Sequence, residues 1–177
     1  MSQTRTMRLA VLAAGTTLLV VGCSASGSGD SKSRPAQSSA APSASRPAAD
    51  AAGAYKAIAA NVPSAANSAP ITAESDPNHL LGRPGQYTSK ITFSDSRIKA
   101  ADTEGLEPGD VALGGAVEVF ANPADAQARA AYIQTVTKGM PALTEYDYVH
   151  GSTLIRVSHY LTPGQAGEYE TAADKLP

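Results

Sequence analysis

The sequence predicts an α+β domain with a mainly antiparallel sheet of about four strands and helices on one face, in the order α-ββα-ββα. Three observations lead to this prediction. Polar and apolar side chains alternate along residues 87–95 and 116–121, as they do in strands with one buried face. Asn122-Pro123 is a typical helix start, and a turn at His150-Gly151 separates two further strand-like runs.

The first element is a helix, for which Asp50 is a suitable N-cap. Tyr55, Ile58 and Val62 follow at spacings of three and four and form its apolar side, and Pro63 ends it. Residues 64–86 show little periodicity and predict an irregular segment.

Within that segment, Asp76-Pro77 begins a single helical turn and Gly82 ends it at a left-handed position. Pro84 and Gly85 then occupy the two central positions of a type II turn. We therefore predict a segment that has little regular secondary structure but a fixed backbone conformation.

The first strand, residues 87–95, has one buried face and one face open to water. The buried face is predicted to contain Tyr87, Ser89, Ile91 and Phe93, and the open face Thr88, Lys90, Thr92 and Ser94. After an acidic loop at residues 100–110, a second strand covers residues 116–121. Val117 and Val119 lie on the opposite side of this strand from Glu118 and Phe120, and Gly114-Gly115 is a suitable place for a β-bulge.

A helix begins at Asn122-Pro123 and ends at Gly139 and Pro141. Its predicted apolar stripe consists of Ala126, Tyr132, Ile133 and Val136.

Strands at about 144–149 and 152–159 form a hairpin, and a two-residue loop would place Tyr146 opposite Ile155 and Glu145 opposite Arg156. Thr162 and Gln165 have the spacing of a capping box and start a last helix. The buried edge of that helix is predicted to contain Tyr169, Ala173 and Leu176.

The two strand-to-helix junctions at residues 120–126 and 160–166 resemble each other at an offset of 40 residues. A duplicated ββα unit would explain this similarity. Similar capping rules in both halves would produce it without duplication.

The 177 residues provide room for one domain and a short extension. Hydrophobic residues make up 42% and charged residues 17% of the chain, and the formal net charge is −2. Residues 53–177 hold 14 acidic and 9 basic side chains, a balance of −5. This acidic balance argues against nucleic acid as a partner and against direct docking of the domain on anionic lipid.

The N-terminus has the parts of a secretory signal. Arg5 and Arg8 precede an apolar run at residues 9–21, which is shorter than the roughly 20 residues of a membrane-spanning helix. The run ends at Gly22-Cys23, and Cys23 is the single cysteine of the chain. We therefore expect residues 1–22 to be a signal peptide and Cys23 to be lipidated, because this ending resembles the lipobox of bacterial lipoproteins.

Residues 23–52 are predicted to be the lipidated cysteine and a disordered tether. Ser, Ala, Pro and Gly occupy 23 of the 29 positions from 24 to 52. Such a segment buries too little apolar surface to offset the entropy of ordering it. The single α+β domain then occupies residues 53–177.

Catalytic and metal-binding motifs are absent from the sequence. Ser96 and Lys99 have the spacing of penicillin-recognising enzymes, but the partner motifs are missing. The sequence contains no Gly-x-Ser-x-Gly elbow, and His79, His150 and His159 have no metal-ligand spacing. The acidic loop does not fit an EF-hand, so a solvated loop is favoured over a weak calcium site. We predict neither a catalytic residue nor a cofactor.

The irregular segment also provides the one candidate binding site. It concentrates Asn78, His79, Arg83 and Tyr87 in a rigid loop, and rigid loops on a scaffold often carry binding residues. The alternative is a purely structural loop, because Pro and Gly here also have conformational roles.

The signal, the tether and the sequence Asp-Pro-Asn-His-Leu-Leu-Gly-Arg-Pro-Gly-Gln-Tyr together resemble small uncharacterised lipoproteins of actinobacteria. The resemblance implies export and lipid anchoring at the extracytoplasmic face of the cell membrane. We expect a non-enzymatic binding or interaction module, whose partner is an envelope protein or a small ligand. The alternatives are an enzyme or enzyme accessory acting on envelope polymers, favoured by paired carboxylates in a cleft, and a small-ligand or lipid carrier.

Overall fold

A computed structural model describes residues 50–177 of the chain. The predicted signal peptide, Cys23 and nearly all of the predicted tether lie outside the described residues. The first helix begins at Ala51, with Asp50 as its N-cap, so the ordered domain starts slightly before the predicted boundary at residue 53.

The domain consists of a five-stranded antiparallel sheet and three α-helices, which confirms the predicted α+β class. The strands have the spatial order β1-β2-β3-β5-β4. Their bounds are β1 Ala65–Pro70, β2 Tyr87–Asp95, β3 Gly114–Phe120, β4 Glu145–His150 and β5 Thr153–Ser158. The helices are α1 Ala51–Ala59, α2 Pro123–Thr137 and α3 Pro163–Ala173.

Strand β1 is an addition to the predicted strands. Its sequence, AANSAP, has no apolar alternation, and four of its six residues are exposed. The pairing with β2 is also interrupted between Ala66 and Ala69, where Asn67 adopts a positive φ of 49°. The strand forms because it completes the edge of β2, and this long-range pairing leaves no local pattern in the sequence.

The helices cover both faces of the sheet, whereas the sequence analysis placed them on one. Helices α1 and α3 pack with Ile155 and other inward side chains on one face, which we call the α1/α3 face. Helix α2 packs with Leu154 on the other, the α2 face. Leu154 and Ile155 are adjacent in β5 and therefore point to opposite sides. An amphipathic pattern indicates that a helix covers a sheet, but it does not indicate which face it covers.

The faces on which the helices lie test whether the two ββα units are copies of one another. A rotation about the sheet normal can place β4-β5 onto β2-β3, because the order β2-β3-β5-β4 is symmetric. The same rotation leaves each helix on its own face, and α2 and α3 lie on opposite faces. The two ββα units therefore have opposite handedness and are not related as rotated copies.

The predicted starts of the three helices and the type II turn are present, but the single helical turn predicted from Asp76 to Gly82 is not formed. His79, in the middle of that segment, has a positive φ of 52°, which right-handed helical residues do not adopt. Asp50 accepts a hydrogen bond from the backbone N–H of Gly53, and Asn122 accepts one from Asp125. Thr162 and Gln165 form the complete capping box. Gly85 has a positive φ of 71°, and the N–H of Gln86 donates to the carbonyl of Arg83 at 3.0 Å, as a type II turn requires.

The β4–β5 hairpin has a different register from the predicted one. His150 pairs with Thr153, so the loop consists of Gly151 and Ser152, and Gly151 has a positive φ. Asp147, rather than Glu145, lies directly opposite Arg156. The shift is two residues, so every side chain remains on its predicted face.

Gly114-Gly115 is paired regularly with β2 and does not form the predicted bulge. A Cβ at Gly115 would overlap the carbonyl oxygen of Arg156 and lie 2.5 Å from Cζ of Phe93. The missing side chain allows the aromatic ring of Phe93 to lie directly over β3.

Candidate functional site

Buried charged side chains occupy the centre of the α2 face. Lys90 on β2, Glu118 on β3 and Arg156 on β5 lie on neighbouring strands and on the same side of the sheet. The sequence analysis expected Lys90 and Thr92 to face water. Instead Lys90 is only 5% exposed, because the segments around Asn78 and Asp110 lie beside it.

Glu118 is the centre of this group and is fully buried. Its Oε1 lies 3.3 Å from Nζ of Lys90 and accepts a hydrogen bond from Nη1 of Arg156 at 3.1 Å. Its Oε2 accepts a hydrogen bond from Nε of Arg129 on α2 at 3.3 Å. We call these four residues the Glu118 cluster. A buried carboxylate requires such partners, since an unpaired charge in the interior costs several kcal/mol.

The cluster shifts the titration of Lys90. Burial lowers the pKa of its ammonium group, because the charged form loses its hydration, and the negative charge of Glu118 offsets part of that effect. Asp76 is a second, more distant anion, with its Oδ1 3.9 Å from Nζ of Lys90. Lys90 therefore lies between two carboxylates, those of Asp76 and Glu118, on the side of the sheet that forms the α2 face.

Asp76 organises the irregular segment. Its carboxylate accepts backbone N–H bonds from Leu80 at 2.8 Å and Leu81 at 3.0 Å, four and five residues on, so it holds the loop together rather than capping the predicted helical turn. The hydroxyl of Tyr87 donates to the same carboxylate at 2.7 Å. Burial acts to raise the pKa of Asp76, but these hydrogen bonds to the charged form outweigh it and the pKa is lowered.

A carboxyl pair extends the cluster along β4. Arg156 donates to both oxygens of Glu145, from Nε at 2.7 Å and from Nη2 at 2.9 Å. Asp147 accepts a hydrogen bond from the Gln134 amide at 3.0 Å, and its other oxygen is buried without a partner among residues 50–177. Burial, reinforced by the charge of Glu145, raises the pKa of Asp147 to about 7.

Arg129 connects the Glu118 cluster to two cavities. Its side chain is only 9% exposed, and its guanidinium lies 6.0 Å from the ring centroid of Tyr87 and 5.8 Å from that of Tyr132. Within residues 50–177, Nε makes the one hydrogen bond of this side chain, to Glu118. Both terminal nitrogens thus retain their N–H donors beside the cavities that Arg129 lines.

The first cavity, the amide cavity, has a volume of about 460 Å³. Arg129 is the single charged residue among the side chains that line it. The remaining lining residues are polar amides, small residues and apolar side chains: Asn78, Leu80, Gly85, Gln86, Ala128 and Tyr132.

The second cavity has a volume of about 260 Å³ and shares Asn78, Arg129 and Tyr132 with the first. Val136 and Leu143 contribute apolar walls, and Glu145 and Arg156 contribute charge. Tyr132 and Val136 belong to the predicted buried stripe of α2, but Tyr132 is 61% exposed and Val136 is also exposed. Only Ala126 and Ile133 of that stripe are buried, so the outer part of α2 borders the cavities.

The residues predicted as a ligand site are only partly brought together. Asn78 lines both cavities, and the buried ring of Tyr87 supports Arg129 from below. His79 and Arg83 are exposed and line neither cavity, and His79 adopts a positive φ of 52°. Cys23, predicted to be lipidated, lies outside the described residues.

Sequence reasoning missed the residues at the centre of the site. Lys90, Glu118 and Arg156 each look like an ordinary exposed position of an alternating strand, and Arg129 looks like a solvated helix position. A signal was present in their combination, because successive strands all carry a charge on the side opposite their β-branched residues. Such a stripe indicates a charged surface, but it does not indicate that α2 covers it.

No group of three or more His, Cys, Asp or Glu side chains within residues 50–177 is arranged to hold a metal ion. The same residues contain no helix that is long and apolar enough to cross a membrane. Comparison of the chain with models of protein families, with curated proteins and with solved structures found no match.

Proposed function

We propose that this chain is a lipid-anchored, extracytoplasmic binding module without enzymatic activity, attached to the cell membrane through Cys23. Its binding site is the pair of cavities on the α2 face. The partner is a component of the cell envelope, either a small ligand or an exposed part of a larger molecule.

The observation that carries the proposal is the state of Arg129. The side chain of Arg129 is only 9% exposed, and its terminal N–H groups, which make no hydrogen bond within residues 50–177, lie where the cavities open to solvent. A bound acceptor would satisfy these donors, and hydrogen bonds to a charged group are among the stronger ones in proteins. The cavities also combine apolar walls with a few polar groups, which is the usual composition of ligand sites.

The carboxylates of the α2 face favour binding over acid–base catalysis. Glu118 and Glu145 both accept hydrogen bonds from Arg156, so both are engaged in ion pairs. The carboxyl of Asp147 has a pKa raised to about 7, but Asp147 lines neither cavity. A general acid must reach the substrate, so this arrangement supports an enzyme less well than a binding protein.

The anchoring is tested by Cys23→Ser in the full chain. We expect the wild type to fractionate with membranes until detergent is added, and the variant to be released or mislocalised, because it lacks the acylated thiol. Detergent-dependent membrane association that is unchanged in the variant would contradict the lipid anchor.

The binding is tested by co-sedimentation of the full chain, purified in detergent, with isolated cell-wall polymer and with envelope vesicles. We expect sedimentation of the wild type, at least tenfold weaker retention of Arg129→Lys, and unchanged retention of Arg83→Lys, because Arg83 is exposed outside the cavities. Sedimentation with neither fraction would overturn the binding proposal. Release of soluble fragments from the polymer by the wild type would instead establish an enzyme.

A further inference from the structure

The chemistry of the amide cavity allows a more specific inference, which rests on the proposed binding function. Arg129 is the single charged residue among its lining side chains, so the cavity favours a ligand with one negative charge. A guanidinium whose Nε is already bonded can still present parallel N–H groups, and this fork matches the two oxygens of a carboxylate.

The groups that surround Arg129 also fix the orientation of its guanidinium, which adds to the preference for a carboxylate. The rings of Tyr87 and Tyr132 lie within about 6 Å of its guanidinium and restrict where it can move. Nε is held by the buried Glu118, which is itself held by Lys90 and Arg156. The fork is therefore oriented before any ligand arrives, which reduces the entropy lost on binding.

The rest of the cavity indicates what carries the carboxylate. Asn78 and Gln86 each offer a carbonyl oxygen and an NH2 group, a combination that suits hydroxyls, which both donate and accept hydrogen bonds. The amide of Gln86 makes no hydrogen bond to another residue of the described domain. The exposed ring of Tyr132 provides a flat apolar surface beside these amides. An alkyl group offers these amides no hydrogen bond, whereas the hydroxyls of a sugar ring do.

We propose that the amide cavity binds an acidic sugar, with the carboxylate on the terminal nitrogens of Arg129, hydroxyls on Asn78 and Gln86, and the ring against Tyr132. The volume of about 460 Å³ lies within the usual range for small-ligand sites.

The test is titration of the full chain in detergent, observed by the NMR signals of the Arg129 Nε–H and the Gln86 side-chain amide, at constant ionic strength. The probes are D-glucuronate, D-glucose, acetate and N-acetyl-leucine. We expect glucuronate to bind at least tenfold more tightly than each of the other three, because only glucuronate combines the carboxylate with ring hydroxyls.

Two variants and one control establish the site. Arg129→Lys retains the positive charge but removes the fork, and we expect at least a tenfold loss of glucuronate affinity. Gln86→Glu leaves the Glu118 cluster untouched and places a negative charge at the cavity, so it should weaken glucuronate at least as much. Arg83→Lys should bind like the wild type, because Arg83 does not line the cavity.

Equal binding of acetate or glucose, tighter binding of N-acetyl-leucine, or no response to any probe would each overturn the acidic-sugar inference. The co-sedimentation assay then reports on the binding function separately. Arg129-dependent retention of wall polymer without glucuronate binding would leave the binding function standing and show that its ligand belongs to another class.

Discussion

The two faces of the sheet are covered in different ways. On the α1/α3 face, Phe93 lies between the rings of Tyr55 and Tyr169, each at a centroid distance of 5.4 Å, and β-branched residues of three strands surround it. On the α2 face, the apolar cluster has only five buried members, and the central strands carry Lys90, Glu118 and Arg156 beside it.

The difference separates two roles within one small domain. The α1/α3 face buries apolar area, which supplies most of the favourable free energy of folding. The α2 face buries ion pairs, whose net contribution to stability is small because their desolvation offsets their attraction. A charged interior that contributes little to stability is more readily explained by a binding role, and the cavities lie on this face.

The largest effect is expected from Glu118→Gln on the α2 face. The substitution keeps the shape of the side chain but leaves three buried cations around a neutral amide, and we expect a loss of about 3–5 kcal/mol in the free energy of unfolding. Urea denaturation measures this loss. The control is Glu168→Gln, whose half-exposed carboxylate pairs with Arg97 and should cost less than about 1 kcal/mol. If the two variants lost the same free energy of unfolding, the charges of the Glu118 cluster would be as well hydrated as those at the surface, which would contradict their burial.

On the α1/α3 face, Gly115→Ala tests the close packing of Phe93 against β3. The added methyl group would overlap the carbonyl of Arg156 and the Phe93 ring, and we expect a destabilisation of about 3 kcal/mol. The control is Gly139→Ala, since a Cβ at Gly139 meets no atom within 4 Å. Thermal unfolding of both variants compares them, and a Gly115→Ala variant as stable as its control would contradict this close packing.

A smaller effect is expected where Tyr87 supports the loop that holds Asn78. Tyr87→Phe keeps the buried ring and removes the hydroxyl that donates to Asp76, so we expect a loss of about 1–2 kcal/mol. The matched control is Tyr132→Phe, whose hydroxyl makes no hydrogen bond within the described domain and should leave the unfolding midpoint unchanged. An unchanged midpoint for Tyr87→Phe would mean that the backbone N–H groups alone hold Asp76.

A further prediction concerns how stability depends on pH rather than its value at one pH. The pKa of Asp147 is raised from 3.8 to about 7, so between these values the folded state binds a proton that the unfolded state has lost. The free energy of unfolding therefore decreases as the pH rises from about 4 to about 7. Asp147→Asn removes this contribution, and we expect a flatter curve of stability against pH than in the wild type.

The control for this pH experiment is Asp102→Asn, which removes one exposed carboxylate from the loop before β3. We expect its curve to be parallel to that of the wild type over the same pH range. If Asp147→Asn also gave a parallel curve, the carboxyl of Asp147 would not be protonated near neutral pH, and its buried oxygen would need another partner.

Local features of the chain were largely predictable. The capping residues Asp50, Asn122 and Thr162 start the three helices as expected, because an N-cap acts through bonds to residues two or three positions away. Strand β2 has the predicted bounds, since a pattern of alternation is contained within nine residues. Tyr87 nevertheless lies on the α2 face rather than with Ile91 as predicted, because the pairing with β3 is irregular between Tyr87 and Ser89.

Features that depend on distant residues were not predictable. The hairpin register differed by two residues because the turn forms at Gly151-Ser152, and the alternation is the same in both registers. Asn78 was identified as a candidate from its rigid loop, but Arg129 was not, because its importance depends on Glu118 and Tyr87 beneath it.

The sequence by itself determined the α+β class, the starts of the helices and most of the alternation of the four predicted strands, because short-range hydrogen bonds and periodicity encode them. Only the tertiary structure decided that α2 covers the face opposite α1 and α3. Together with the segments around Asn78 and Asp110, α2 converts Lys90, Glu118 and Arg156 from expected surface charges into a buried cluster. The physical reason is that burial is a property of what packs above a side chain, and the sequence around that side chain does not contain this information.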